Sequence, residues 1–189
     1  MPLKDYRDKR DFESTSEPEG RKTGGKKNRD KSPAFVVQKH FASHLHYDFR
    51  LELGGILKSW AVPKGPTLDP AEKHLAVMVE DHPYQYKDFS GVIPEGNYGA
   101  GRVEIWDEGT YHSLNAEDKE GTESEVRKGL ERGHVTIIMY GSILKGEFAL
   151  IKLKKASKDN WLLIKKDDEF AVRGWKIDDV GGSPEVKKN

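Results

Sequence analysis

The stretch His44-Leu45-His46-Tyr47-Asp48-Phe49-Arg50-Leu51-Glu52-Leu53 alternates ionisable and apolar residues without interruption. Histidine, histidine, aspartate, arginine and glutamate take the even positions; leucine, tyrosine, phenylalanine, leucine and leucine take the odd ones. A β-strand sends successive side chains to opposite faces, so this reads as one strand with an apolar back and an ionisable front. An ordinary half-exposed strand shows water a mixture of Thr, Ser, Lys and Glu. Here two imidazoles, a carboxylate and a guanidinium share one face, a set able to hold a metal and an anion bound to it.

Working outward, Gly54-Gly55 is a two-residue turn signal, and 56–62 returns as the hairpin partner. Upstream, 34–38 is a short strand ahead of Lys39 and His40. Downstream, Pro66 and Pro70 punctuate a loop over 64–73, and 74–80 is an apolar-rich strand ending at Asp81-His82-Pro83. The glycine-rich run GVIPEGNYGAG at 91–101 lacks dinucleotide spacing and precedes no helix, so it reads as turn chemistry before a strand over 102–106. Thr122 with Glu125 fits a capping box for a short helix over 123–132, which Gly129 weakens by about 1 kcal/mol. Three more strands follow at 134–140, 147–153 and 161–166. Many short strands and one weak helix predict an all-β fold: a compact closed or nearly closed β-barrel with one or two short helices and polar tails. The expected division is a polar, partly basic arm over 1–32, a barrel domain over 33–170 and a polar tail over 171–189.

The chain has 189 residues, enough for one domain with a real core. Its 32 basic and 32 acidic residues cancel, which excludes a uniformly basic nucleic-acid coat but not a local basic patch. Six basic residues lie between Arg21 and Lys31, against the one acid Asp30; they form either a solvated linker or an arm that tracks phosphates. Cysteine is absent, so any metal must rest on nitrogen and oxygen. No apolar run approaches the ~18 residues needed to span a bilayer, and the polar N-terminus is no signal peptide, so the expected location is the cytoplasm.

On the ionisable face, His46 and Asp48 lie two apart, close enough to share a metal. His40, from just before the strand, completes a two-histidine, one-carboxylate set. Such donors suit Mn²⁺, Fe²⁺ or Zn²⁺ and leave coordination positions open; ligand chemistry alone does not choose among these metals. Arg50, two further along, would lie beside the metal rather than on it, which makes sense if an anion such as a phosphate bridges the two. His44 shares the face and competes with His40 as a ligand, with a surface role as its alternative; Glu52 reads as a strand-end charge. The same ligand set also serves Fe²⁺ oxygenases, which explain Arg50 only if it holds a carboxylate co-substrate. His82 is either a structural strand-end histidine or, if it faces the metal, a phosphate clamp or proton donor.

Several separated blocks resemble the 3'-phosphoesterase domain of bacterial end-joining DNA ligase D. They are Gln38-Lys39-His40, Leu45 through Glu52, Glu80-Asp81-His82-Pro83 with Tyr86, and Ile93-Pro94-Glu95-Gly96 through Gly99 to Trp106. Lys9-Arg10-Asp11-Phe12, Glu17-Pro18, Leu144 through Phe148 and Trp161-Leu162-Leu163 extend them. The resemblance implies a β-barrel with a manganese-dependent site in its hollow, other divalent transition metals being alternatives. By position it makes His40, His46 and Asp48 the metal ligands and puts Arg50 and His82 on the scissile phosphate. Arg10, Asp11, Glu17, Gln38, Lys64, Glu80 and Tyr86 match positions that support substrate or metal. Of these, Glu80 and Asp11 would orient water or a terminal ribose hydroxyl.

The implied activity trims DNA or RNA/DNA primer-template 3' ends in two steps. A phosphodiesterase action removes a terminal ribonucleoside, and a phosphomonoesterase action then removes the 3'-phosphate to leave a 3'-hydroxyl for repair ligation. The implied partners are a DNA ligase and a polymerase of an end-joining pathway, with no membrane, and the expected form is a stand-alone monomer. His74 stands where many relatives carry arginine, and His44 lies outside the family pattern. The rival from another class is a non-catalytic module that binds DNA ends.

Overall fold

The computed structural model describes residues 3–20, 31–155 and 159–180. Apart from Lys31, the basic run of the arm lies outside the described residues, as does the end of the polar tail.

The described residues form nine antiparallel strands: β1 Ala34–Phe41, β2 Leu45–Leu53, β3 Ile56–Val62, β4 Lys73–Pro83, β5 Gly91–Ile93, β6 Gly101–Ser113, β7 His134–Gly141, β8 Lys145–Lys152 and β9 Asn160–Lys165. Their order is β1-β2-β3-β4-β9-β8-β7-β6-β5, and a further β1–β6 pairing closes eight of them into a ring. β5 stays outside the ring, paired with the first residues of β6. The expected closed β-barrel is therefore present, with α-helices of only α1 Lys4–Asp8 and α2 Lys119–Arg132 among the described residues. The turn Gly54-Gly55 has φ of 63° and 82°, the left-handed pair that a tight hairpin requires, and sets Leu53 opposite Ile56.

All eight ring strands send apolar side chains into one core. Phe35 and Val37 come from β1, Phe49 and Leu51 from β2, Trp60 from β3 and Ala76 from β4. Tyr111, Met139, Phe148 and Trp161 complete it from β6, β7, β8 and β9. The odd positions of β2 are thus the inside of the barrel. Alternation then forces His46, Asp48 and Arg50 onto the outer face of the wall, so the ionisable front does not line the barrel's hollow. The interior is filled with side chains, as small barrels are. A second, smaller apolar cluster of Tyr6, Leu57, Tyr86, Phe89, Ile93 and Val103 lies on that outer face. It carries the N-terminal segment, in which Tyr6 is fully buried and donates to the carbonyl of Pro18 at 2.7 Å.

Three local expectations are corrected. α2 begins at Lys119, not near 123: Asp118 is its N-cap, accepting from the N–H of Gly121 at 2.9 Å. Thr122 is instead fully buried, bonding Ser113 and Ala116. Gly129 is there for packing, since a Cβ would meet the carbonyl oxygen of His134 at 2.7 Å. β6 runs to Ser113 rather than stopping at Trp106, because β1 and β7 continue to pair with it. β4 continues through His82 to Pro83, so that histidine is a strand residue.

In the C-terminal segment, the N–H groups of Val172 and Gly174 bond the Leu68 carbonyl and the Asp69 carboxylate, and Trp175 and Ile177 pack on the core. Among the described residues no helix is long and apolar enough to cross a membrane.

Candidate metal centre

β1 and β2 pair so that Gln38 faces Asp48 and His40 faces His46 across the ladder. Directly opposed outer-face residues bring their side chains together. One donor atom from each of His40, His46 and Asp48 lies within 4.8 Å of the others, a group that can hold a metal ion. Asp48 is central: its carboxylate oxygens lie 3.4 Å from Nδ1 of His40 and 3.5 Å from Nε2 of His46. The other imidazole nitrogens are taken by backbone, His40 Nε2 by the Gly99 carbonyl at 2.7 Å and His46 Nδ1 by the His44 carbonyl at 3.0 Å. Each ring is thereby oriented with its second nitrogen toward the carboxylate, the arrangement expected of metal-binding histidines. Nitrogen and oxygen donors without sulfur fit a first-row divalent ion. His44 enters this geometry through its backbone carbonyl, and its exposed side chain is not part of the group.

Behind Asp48 lies Arg50, 3 % exposed. Its Nη2 is 3.4 Å from Asp48 Oδ2, and its Nε donates to Gln38 Oε1 at 2.7 Å. Gln38 is itself held by donating to the carbonyls of Tyr86 and Phe89. Nη1 of Arg50 is buried with no hydrogen-bond partner among the described residues. Burial alone would raise the Asp48 carboxyl, but the Arg50 charge and the two imidazole hydrogen bonds outweigh it and hold it far below the usual carboxylate range.

The N-terminal segment and β4 supply the opposite wall. Arg10 donates to Glu17 at 3.0 Å, to the Tyr6 carbonyl at 3.0 Å and to Glu80 at 3.2 Å, and its Nη2 is 3.3 Å from Nε2 of His82. Glu17 also accepts from the Tyr86 hydroxyl at 2.9 Å. His82 is packed between Tyr6 and Tyr86, with ring centroids 5.0 and 4.7 Å away. Burial first, then the charges of Arg50 and Arg10, hold its imidazole well below the ordinary histidine value, so it is neutral at pH 7. Because an arginine can only donate, Nε2 of His82 accepts from Arg10 and the proton sits on Nδ1, which donates to the Glu80 carbonyl at 2.9 Å. Burial pushes Glu80 up, but a backbone N–H, Lys9 and Arg10 more than offset this and keep it ionised.

These groups surround a hollow of about 290 Å³. Of the residues singled out from sequence, His40, His46, Asp48, Glu80, His82, Arg10, Glu17 and Tyr86 line it, whereas Arg50 and Gln38 stand behind its wall. Lys64 lies elsewhere, lining a second hollow with His74, whose ring nitrogens contact the Gly65 carbonyl and Glu72. Asp11 is exposed and turns its carboxylate to the N–H of Glu13. Ala61, Val79, Ile93, Tyr98 and Gly99 also line the first hollow. Sequence reasoning missed them because apolar strand residues look like core, and a tyrosine among glycines looks like a turn.

The DNA ligase D 3'-phosphoesterase domain family matches residues 38–152 of the chain. The multifunctional non-homologous end joining protein LigD of Pseudomonas aeruginosa is 51 % identical over 168 residues, covering 88 % of this chain and 19 % of that protein. The multifunctional non-homologous end joining DNA repair protein LigD of Mycobacterium tuberculosis is 41 % identical over 177 residues, covering 93 % of this chain and 21 % of its own. LigD of Mycolicibacterium smegmatis is 40 % identical over 171 residues, with 90 % and 21 % covered. The chain therefore spans about a fifth of the length of these relatives. On the family match and these identities together, the chain belongs to the DNA ligase D 3'-phosphoesterase domain family.

Proposed function

We propose that this chain is a metal-dependent phosphoesterase that prepares DNA 3' ends for end-joining repair. The observation that carries this reading is Nη1 of Arg50, buried and without a hydrogen-bond acceptor among the described residues, on the guanidinium that contacts Asp48 of the His40–His46–Asp48 group. A buried guanidinium N–H without an acceptor is costly, and an anion that reaches it past Asp48 would supply one. We propose Mn²⁺ as the ion, held by His40, His46 and Asp48. When bound, such an ion supplies polarisation of a phosphate oxygen and acidifies water.

The protein's own groups do the rest. From behind the wall of the hollow, Arg50 offsets charge on the non-bridging oxygens while Asp48 holds it in place. His82, neutral and with its Nε2 lone pair engaged by Arg10, clamps the phosphate only after that contact yields. A phosphate beside Nε2, a diester monoanion in the first step and a monoester in the second, favours its protonation from solvent, which then places a proton within reach of the leaving oxygen. Glu80, ionised and facing the hollow, is the acceptor for a terminal ribose hydroxyl. Arg10, Glu17, Gln38 and Tyr86 position these groups, and we assign Asp11 to shaping the turn of the arm. Lys64 and His74 are left to contacts farther along the nucleic acid.

On this reading water attacks phosphorus and the bond to the nucleoside oxygen breaks. With a 3'-terminal ribonucleotide the first cleavage releases the nucleoside and leaves a 3'-phosphate; the second releases phosphate and leaves a 3'-hydroxyl. That hydroxyl is what a ligase or polymerase of the same pathway consumes. The relatives' names, multifunctional end-joining proteins, fit such partners. A labelled primer-template with a single 3'-ribonucleotide tests the proposal. We expect Mn²⁺ to yield the 3'-phosphate and then the 3'-hydroxyl product, and EDTA to stop both. Binding without any product would place the chain among end-binding modules instead.

A further inference from the structure

The hollow is graded from bottom to mouth. Asp48 and His82 are 7 % and 3 % exposed, whereas Tyr98, in the same wall, is 48 % exposed and belongs to neither apolar cluster. Its loop is nevertheless tied down on both sides. The carbonyl of the next residue, Gly99, holds the His40 ring at 2.7 Å, and the preceding Asn97 accepts from the Ser14 hydroxyl at 2.6 Å. Gly99 has φ of 75°, a conformation that lets the chain turn back at the metal group. Lys9 and Arg10 approach the Tyr98 ring to 4.9 and 5.4 Å from its centroid. An aromatic ring fixed at the mouth, exposed and flanked by two cations, does nothing for the core.

We infer that Tyr98 is the stacking platform for the base of the 3'-terminal nucleotide, an inference that rests on the phosphoesterase reading above. A terminal phosphate is bonded directly to the sugar of its nucleoside. A phosphate at the bottom of the hollow therefore leaves the nucleoside at the mouth, where the ring stands. Base–aromatic stacking tolerates any base because each has a π-face, so this contact orients the end without reading sequence. Lys9 and Arg10 add cations beside the same strand. Tyr98 is a positioning residue here: it sets where the phosphate lies, and the groups deeper in the hollow act on it.

The test uses the full chain with Mn²⁺ and a primer-template ending in 2-aminopurine and a 3'-methylenephosphonate, whose carbon bridge cannot be hydrolysed. Wild type should quench 2-aminopurine fluorescence and bind this end about 10-fold more tightly than an abasic end. Tyr98→Leu should lose both the quench and the preference, and Tyr98→Phe should retain both. A Tyr98→Leu protein that still quenches and still prefers the end with a base overturns the inference. Hydrolysis by wild type of the labelled primer-template with a 3'-ribonucleotide, without quenching at the phosphonate end, also overturns it while leaving the esterase reading intact. Quenching by a wild type that hydrolyses no 3' end sinks the esterase reading alone.

Discussion

Arg50 reaches to within 3.4 Å of Asp48 with one guanidinium nitrogen and leaves another buried without a hydrogen-bond partner among the described residues. The two residues lie two apart on one strand, so the pleat sets them side by side on the outer wall of the barrel. Asp48 thus serves three neighbours, the imidazoles of His40 and His46 and the guanidinium behind them.

Asp48→Asn keeps the shape and removes the charge. We expect isothermal titration to show Mn²⁺ affinity reduced by about 100-fold or more, beyond the ~10–100-fold typical of disturbing an outer partner. The fold should also lose stability, on the order of 3–5 kcal/mol, because Arg50 then keeps a buried charge with no counter-ion. Unchanged Mn²⁺ binding would remove Asp48 from the metal group.

Arg50→Gln separates the anion from the metal. Turnover should fall by about 10²–10³-fold, as on deleting a donor aimed at developing charge. Mn²⁺ binding should persist, since a nearby positive charge is removed. A parallel loss of metal binding would show that the guanidinium supports the ligands rather than the phosphate.

In the arm, Arg10 and its neighbour Lys9 make a matched contrast. Arg10 and Glu17 have side chains 4 % and 0 % exposed, whereas Lys9 is 43 % exposed, bonding Glu80 at 3.2 Å and lying near the Tyr98 ring. Arg10→Ala strands two carboxylates and should cost about 3–5 kcal/mol in urea unfolding. Lys9→Ala should change stability by less than about 1 kcal/mol. Equal losses in the two variants would mean that the Arg10 network carries no special weight.

His82 should make the fold sensitive to mild acid. Its buried imidazole refuses a proton in the folded state, while the unfolded chain takes one near the ordinary value of 6.5. Its folded value is depressed, so its contribution is complete above pH 6.5 and falls away below it, by up to ~1.4 kcal/mol per pH unit. His46 runs the other way: its hydrogen bond to Asp48 raises it, so its contribution is complete below pH 6.5 and lost as pH rises through the raised value. In urea unfolding at pH 7.5, 6.0 and 5.0, His82→Gln should lose less stability on acidification than wild type. Equal losses would show that His82 does not carry this pH dependence.

Much of the site was legible because side-chain alternation in a strand is strict. His46, Asp48 and Arg50 had to share a face whatever the fold, and His40 joins them through a pairing register that a short connection between strands makes natural. The helix start was misread because two residues in its first turns fit a capping pattern, while the side chain that caps, Asp118, lay just outside the window. Gly109, in mid-strand, marks a close approach to β7, where a Cβ would collide with the Tyr140 carbonyl.

The sequence by itself determined an all-β chain, the ionisable face of β2 and the family to which the chain belongs, since each is written in local periodicity and in residue identity. Only the tertiary structure decided which side of the wall that face occupies. The apolar residues of eight strands fill the barrel, leaving no interior room for a charged site, and the N-terminal segment and the glycine loop build the hollow outside it. It also decided that Arg10 and Tyr98 line the same hollow as the metal group while Lys64 and Asp11 do not, because that hollow joins segments far apart in the chain, whose meeting no local pattern encodes.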